Sequence, residues 1–325
     1  MSEGQEAPER APARWKAWLL WGLRIAGTAA GFGYIAWAVD FGPVMGALGK
    51  VSLLAFGAAC LVTGINLVVG AFRWRVLLSA YGAPAPPSML VLTRAYYIGF
   101  FYNNYIPGGV GGDLLRGVIT RDAFGARGAT ASVAVVLVER ALGLAGLLML
   151  VSATALVRPI EGMEDVVPYS LVFLVIAFAG IATVAVGRRM ADHAPGRIGE
   201  LLWSLPVIER PGPFAFALAL SLVTQSLVAV TGWFLLDSVS GGQVGLGDAF
   251  VLVPLGAAAA FFPFSVGGTG VREAAFVGLF VTALGLPEAD AVAASLLLWA
   301  CNLVLGGVGG IVQYVAPIRA EAETT

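Results

Sequence analysis

The sequence predicts an all-α polytopic membrane protein with about six transmembrane helices and two re-entrant helical hairpins in an inverted-repeat arrangement. Three observations predict it. Hydrophobic residues fill 58% of the 325 positions and charged residues only 12%, against about 25% charge in a soluble domain. Apolar stretches recur at about 20 residues, the length that spans roughly 30 Å of hydrocarbon as helix. Arginines gather in some connecting segments and are nearly missing from others, which is the pattern that fixes topology.

Six full spans are expected, at about 18–39, 51–72, 129–157, 168–187, 214–236 and 290–316. They form one membrane domain, 18–316, between an N-terminal tail (1–17) and a C-terminal tail (317–325). Runs such as 170–187 are apolar on every face, which suits a helix better than the alternating segments of a β-barrel. The first run follows Arg14 and Lys16 but is too long for a signal-peptide core and contains Arg24, so it is read as a retained helix.

Two further apolar regions, about 88–120 and 249–284, are interrupted by proline and glycine. Reading both as hairpins that enter and leave on one side, with the N-terminus inside, puts twelve cations in cytoplasmic segments: Arg10, Arg14, Lys16, Arg73, Arg75, Arg121, Arg127, Arg188, Arg189, Arg197, Arg210 and Arg319. Only Lys50 and Arg158 fall outside. A single crossing by the first region would turn Arg188, Arg189, Arg197 and Arg210 outward, against the positive-inside rule. Both termini are therefore expected in the cytoplasm and the protein in the cytoplasmic membrane.

The same bookkeeping gives two halves, about 18–157 and 168–316, each reading span, span, hairpin, span in opposite orientation. The hairpin tips match. Pro107, Gly108, Gly109, Gly111 and Gly112 in the first correspond to Pro263, Gly267, Gly268 and Gly270 in the second, and both follow aromatic residues. Inverted repeats with broken helices are a recurrent transporter design. From Arg197 to Leu205, apolar residues at helical spacing suit either a short interfacial helix or an ordinary connecting helix.

Five cations, Arg24, Arg94, Arg116, Arg140 and Arg272, fall within apolar regions with Asp113, Glu139 and Glu273. Left facing lipid, these eight charges would cost on the order of 20 kcal/mol at about 2.5–3.5 kcal/mol each. Arg24 and Arg94 lie near the ends of their segments, where a long side chain snorkels. Asp113 and Arg116 share a helical face at i, i+3. Glu139 and Arg140 are adjacent and point about 100° apart, so each needs a partner elsewhere. Arg272 and Glu273 open the return limb of the second hairpin in the same way. Two readings fit: buried ion pairs that lock the hairpins, or a polar cavity where arginines meet an anionic headgroup. A broken helix offers free N–H groups and a dipole to phosphate, and Asn103 and Asn104 place amide donors just before the first break.

Other chemistries find no support. A net charge of −1 gives no case for nucleic acid. No cofactor or metal site is expected: His193 is the only histidine, and Cys60 and Cys301 sit apart in apolar runs without CxxC spacing. Gly108–Gly112 is not followed by the Lys-Ser/Thr of a phosphate-binding loop. No hydrolase motif occurs, and the catalytic set is expected to be empty.

Several of these residues carry a resemblance. Phe72-Arg73-Trp74-Arg75 with Leu77-Leu78, then Tyr97, Gly99, Phe101 and Asn103, then Pro107 to Asp113 and Arg116, and Glu139-Arg140 resemble the lysylphosphatidylglycerol synthase transmembrane-region family. This is the flippase-like membrane half of multiple peptide resistance factors. Pro263-x-Ser265 through Gly270 to Arg272-Glu273 is similar to that family's second motif. The resemblance runs from about residue 18 to 316 and implies translocation of a lipid between leaflets. Two-part members continue into a soluble aminoacyl-transfer domain. This chain is expected to lack it and so to be a carrier, not an enzyme, with any synthase or glycosyltransferase a separate partner.

The expected function is binding and translocation of an anionic phospholipid or other lipid phosphate, with Asn103, Asp113, Arg116, Glu139, Arg140, Arg272 and Glu273 around the headgroup. The alternatives are a membrane transferase or accessory subunit acting on lipid-linked sugars, and a small-solute or ion transporter of the same architecture.

Overall fold

The computed structural model describes residues 41–105, 111–158, 166–193, 196, 207–258 and 271–318. The first expected span with Arg24, the stretch 197–205, and the tip residues Pro107, Gly108, Gly109, Pro263, Gly267, Gly268 and Gly270 lie outside these residues. Among the described residues the secondary structure is helical throughout. The helices are α1 (Phe41–Lys50), α2 (Leu53–Ala80), α3 (Met89–Tyr105), α4 (Gly111–Ile119), α5 (Gly128–Val157), α6 (Val166–Met190), α7 (Pro211–Ser240), α8 (Leu246–Ala258), α9 (Val271–Leu284) and α10 (Glu288–Val315), with short 3-10 turns at Arg121–Arg127 and Ala191–His193.

Stretches of α2, α5, α6, α7 and α10 are long and apolar enough to cross a membrane, matching five of the six expected spans. Their ends carry ordinary signals. Ser52 caps α2 by accepting from the Ala55 N–H at 3.0 Å. Pro211 opens α7, and Gly241 closes it in the left-handed conformation at φ 67°. Leu53, Leu54, Val157, Ile311 and Tyr314 are exposed apolar side chains on the spans' outer surface, as acyl chains require.

One boundary differs from expectation. α2 continues past residue 72 to Ala80 because Leu77 and Leu78 keep packing in the interior and Arg73 is buried among partners. Arg73 therefore leaves the set of twelve cations assigned to connecting segments, which falls to eleven.

Side-chain contacts give the direction of each helix. α2 and α7 run antiparallel. The Ser52 N–H donates to Ser238 Oγ at 3.3 Å, the Thr63 and Thr231 hydroxyls lie 3.5 Å apart, and Arg210 donates to Ser79 Oγ at 3.4 Å. α3 runs antiparallel to α10. It starts where Arg94 donates to the Ala316 carbonyl, crosses closely where a Cβ on Gly309 would overlap the Tyr97 carbonyl, and ends with Tyr105 donating to the Leu303 carbonyl at 2.9 Å. Leu303 sits near the middle of α10, so α3 stops halfway. Its partner α4 returns along it, and Thr120 just beyond α4 bonds Ser132 at the start of α5. The Arg94 guanidinium satisfies a terminal carbonyl of α10 and complements its dipole.

The second short pair enters from the other end. Arg158, just past α5, packs against Gly245 and Gly247 where α8 begins. α8 lies on α7 through Gly232 and Val253, and on α9 through Gly256 and Phe276. α10 then starts at the end where Lys50 and Asp290 pair at 3.3 Å. α3 and α4 thus open to the Ala80 end of the bundle, and α8 and α9 to the Ser52 end.

Exchanging α2 with α7, α3 with α8, α4 with α9 and α5 with α10 turns each packing into another. α3 on α10 becomes α8 on α5, α4 on α5 becomes α9 on α10, and α5 on α7 becomes α10 on α2. One apolar core, with Phe276, Phe280 and Leu252, fills the Ser52 end. A second, with Trp74, Leu77, Leu92 and Phe214, fills the other.

The seam between α2 and α10 carries a direct test of this packing. Cys60 Sγ and Cys301 Sγ lie 3.4 Å apart. A mild copper-phenanthroline oxidation is expected to join them within one chain, two thiols losing two electrons and two protons, and to speed migration on a non-reducing gel. Absence of that band, with both thiols still alkylatable after unfolding, would refute the α2–α10 register.

Candidate functional site

Where α2, α3, α4 and α5 meet, the apolar pattern breaks and five charges gather. Asp113 and Arg116 stand one turn apart on α4, and their side chains pair at 2.6 Å. Glu139 comes from the middle of α5 and is 1% exposed. Its Oε2 accepts from Arg116 Nη1 at 2.8 Å, while its Oε1 accepts from Arg73 Nη2 at 3.0 Å and from the Tyr96 hydroxyl at 3.0 Å. Arg140, the next residue, turns to the other side of α5 and pairs with Asp113 Oδ2. The two neighbours thus find partners on different elements, as their angular separation demands.

Aromatic rings hold the central guanidinium. Arg116 lies 4.6 Å from the centroid of the Tyr96 ring and 5.2 Å from that of Trp74, within cation–π range. Arg73 reaches α7 as well, donating to Ser221 Oγ at 3.1 Å and to Thr224 Oγ1 at 3.3 Å. Buried charges survive in this way only when each is paired and hydrogen-bonded.

Burial divides the five into two groups. Arg73, Asp113, Arg116 and Glu139 are all buried. The Arg140 side chain is 40% exposed, so it is the member that a ligand entering from outside meets. Three guanidinium groups face two carboxylates, which leaves one surplus positive charge. Among the described residues, two buried donors in the same shell, Arg73 Nε and Trp74 Nε1, have no hydrogen-bond partner.

The hairpin is held by its own amide. Gly112 lies so close to α3 that a Cβ would overlap the Gly99 carbonyl. Its N–H donates to Asn103 Oδ1 at 2.9 Å, and Asn103 Nδ2 faces Asp113 Oδ1 at 3.5 Å. Asn104 donates to the Phe100 carbonyl of its own helix at 2.8 Å. The amides expected to face a ligand are therefore engaged within the protein, and the N–H at Gly112 is already satisfied.

Of the expected residues, Asn103, Asp113, Arg116, Glu139 and Arg140 come together. Arg272 and Glu273 open α9, and their side chains lie outside the described residues. Arg73, Trp74, Tyr96, Ser221 and Thr224 belong to the cluster and are missing from the expected set. The apolar run Val76-Leu77-Leu78 beyond Arg73 is the signal that places this arginine inside a helix core. Among the described residues no group of acidic, histidine or cysteine side chains is arranged to hold a metal.

A family model described as the lysylphosphatidylglycerol synthase TM region matches residues 20–310. No curated protein matches the chain.

Proposed function

The chain belongs to the lysylphosphatidylglycerol synthase TM region family, and we propose that it binds an anionic phospholipid or other lipid phosphate and moves it between leaflets. The observation that carries this reading is the cluster's surplus cation. A low-dielectric site with three arginines against two acids, and two donors without acceptors, is complementary to an anion. Arg140 contacts the headgroup phosphate, exchanging part of its bond to Asp113 for it. Arg73, Arg116 and Glu139 form the frame that keeps α4 and α5 in register.

The two halves form an inverted repeat. α2 and α7, counterparts under the exchange above, run antiparallel, and the two hairpins open to opposite ends. Rocking of one half against the other then presents the cluster to alternate faces. On this reading the protein is a carrier and not an enzyme, and needs no cofactor. It lies in the cytoplasmic membrane with both termini cytoplasmic, and any synthase or glycosyltransferase chemistry comes from a separate partner.

The test is leaflet exchange of a fluorescent phosphatidylglycerol in proteoliposomes. Arg140→Gln is expected to slow exchange about tenfold or more, equivalent to one charge-assisted phosphate bond, while barely changing thermal stability because the side chain is half-exposed. Unchanged exchange by well-folded Arg140→Gln protein would remove this residue from the mechanism. No exchange by the wild type above empty liposomes would sink the translocation reading itself.

A further inference from the structure

We propose that a second, lateral site for one anionic phospholipid lies at the Ala80 end of α2 and α7, apart from the buried charge cluster. A groove of about 450 Å³ opens there between Phe72, Arg75, Val76 and Ser79 of α2 and Pro213 and Phe216 of α7. Among the described residues, no acidic side chain lines it.

Its walls are apolar and face outward. Phe72 and Phe216 are 37% and 49% exposed and meet edge to face, with ring centroids 6.0 Å apart. Both stand on helices that are long and apolar enough to cross a membrane, so these rings face acyl chains. The rim is cationic. Arg75 is exposed and makes no hydrogen bond or ion pair among the described residues, whereas Arg73, two positions earlier, is buried and paired with Glu139. Arg210 sits at the same rim through its 3.4 Å bond to Ser79 Oγ.

An unpaired guanidinium above an apolar wall matches one chemistry: a phosphate joined to an acyl chain. Arginine near a membrane surface attracts anionic lipid, and its planar fork suits phosphate oxygens. A zwitterionic lipid brings its own cation to a rim where Arg75 has no counter-ion among the described residues. A soluble phosphate has no tail for the phenylalanine walls. Further along the same α2–α7 seam, Arg73 meets Ser221 and Thr224, so the groove stands at the mouth of the seam that leads to the cluster. Occupancy of this site rests on the membrane placement of α2 and α7 and not on translocation.

The experiment is native mass spectrometry of the full-length protein, delipidated in mild detergent and titrated with phosphatidylglycerol or phosphatidylcholine. The wild type is expected to retain one phosphatidylglycerol in preference to phosphatidylcholine. Arg75→Gln should weaken that adduct about fivefold, the effect of one cation at a membrane surface, and Arg75→Lys should keep most of it. Ser79→Asp, which sets a carboxylate beside Arg75, should weaken it at least as much. Equal retention by Arg75→Gln and Ser79→Asp, no preference over phosphatidylcholine, or displacement by roughly 10 mM inorganic phosphate at the ionic strength of a chloride control would each overturn the site. Retention of the adduct by protein that shows no leaflet exchange would leave this site standing while the carrier reading fell.

Discussion

Glu139→Gln is expected to destabilise the protein by about 3–5 kcal/mol, the range for breaking a buried ion pair by removing one partner. One carboxylate accepts from Arg73, Arg116 and Tyr96, and it is 1% exposed. The amide keeps the shape and part of the hydrogen bonding but removes the charge. The cluster's surplus then rises from one positive charge to two, because three arginines face Asp113 alone. Arg73, Asp113 and Arg116 are buried, so solvent screens them weakly. The effect should appear as a lower midpoint in an SDS-unfolding titration. Adding Arg73→Met to the same chain should recover part of the loss, because it removes the guanidinium group left without a carboxylate partner. Coupling between neighbours of this kind runs at about 0.5–3 kcal/mol. If Glu139→Gln unfolds like the wild type, the carboxylate is not the hub of the cluster and the pairing described above is wrong.

Much of this hub is legible in the sequence, and the parts that are not share a cause. Charges inside apolar runs identify Asp113, Arg116, Glu139 and Arg140, because the bilayer forbids leaving them unpaired. The i, i+3 spacing pairs Asp113 with Arg116, and the angle between adjacent helix positions sends Glu139 and Arg140 to different partners. Arg73 escapes the same logic. Counting cations by segment treats an arginine near a span's end as a topology signal. The apolar run beyond it keeps it within a helix, and its partner, 66 positions away in Glu139, shows where its charge goes. Asn103 is found by position but not by use. A side-chain amide before a broken helix is a donor available to a ligand or a cap for the next limb, and sequence spacing does not separate the two. The oxygen that accepts from Gly112 settles it as a cap. The spans follow the same division. Hydropathy places five of them, while the end of α2 depends on whether Arg73 has somewhere to go.

The first hairpin gives the second large prediction, because its two described tip glycines have different neighbours. Gly112→Ala is expected to destabilise the protein by about 1–3 kcal/mol or more, the range for overpacking a close contact. Gly111→Ala should be neutral or slightly stabilising, since alanine favours a helix by roughly 1 kcal/mol over glycine. At Gly112 the new methyl meets the Gly99 carbonyl, which is backbone and has no rotamer to escape into. At Gly111 the nearest atom is Tyr102 Cβ at 4.0 Å, an ordinary contact. Neither glycine has a positive φ, so backbone freedom does not explain the pair. Moving α4 away from α3 would also stretch the 2.9 Å bond from the Gly112 N–H to Asn103 and carry Asp113 away from Arg140. Gly112→Ala should therefore lower both the unfolding midpoint and leaflet exchange, and Gly111→Ala should lower neither. A tip that worked mainly as an exposed anion cradle would predict the reverse balance, with both substitutions cutting exchange and neither changing stability. Measuring the two variants side by side separates close helix packing from ligand contact at the point where the chain turns back.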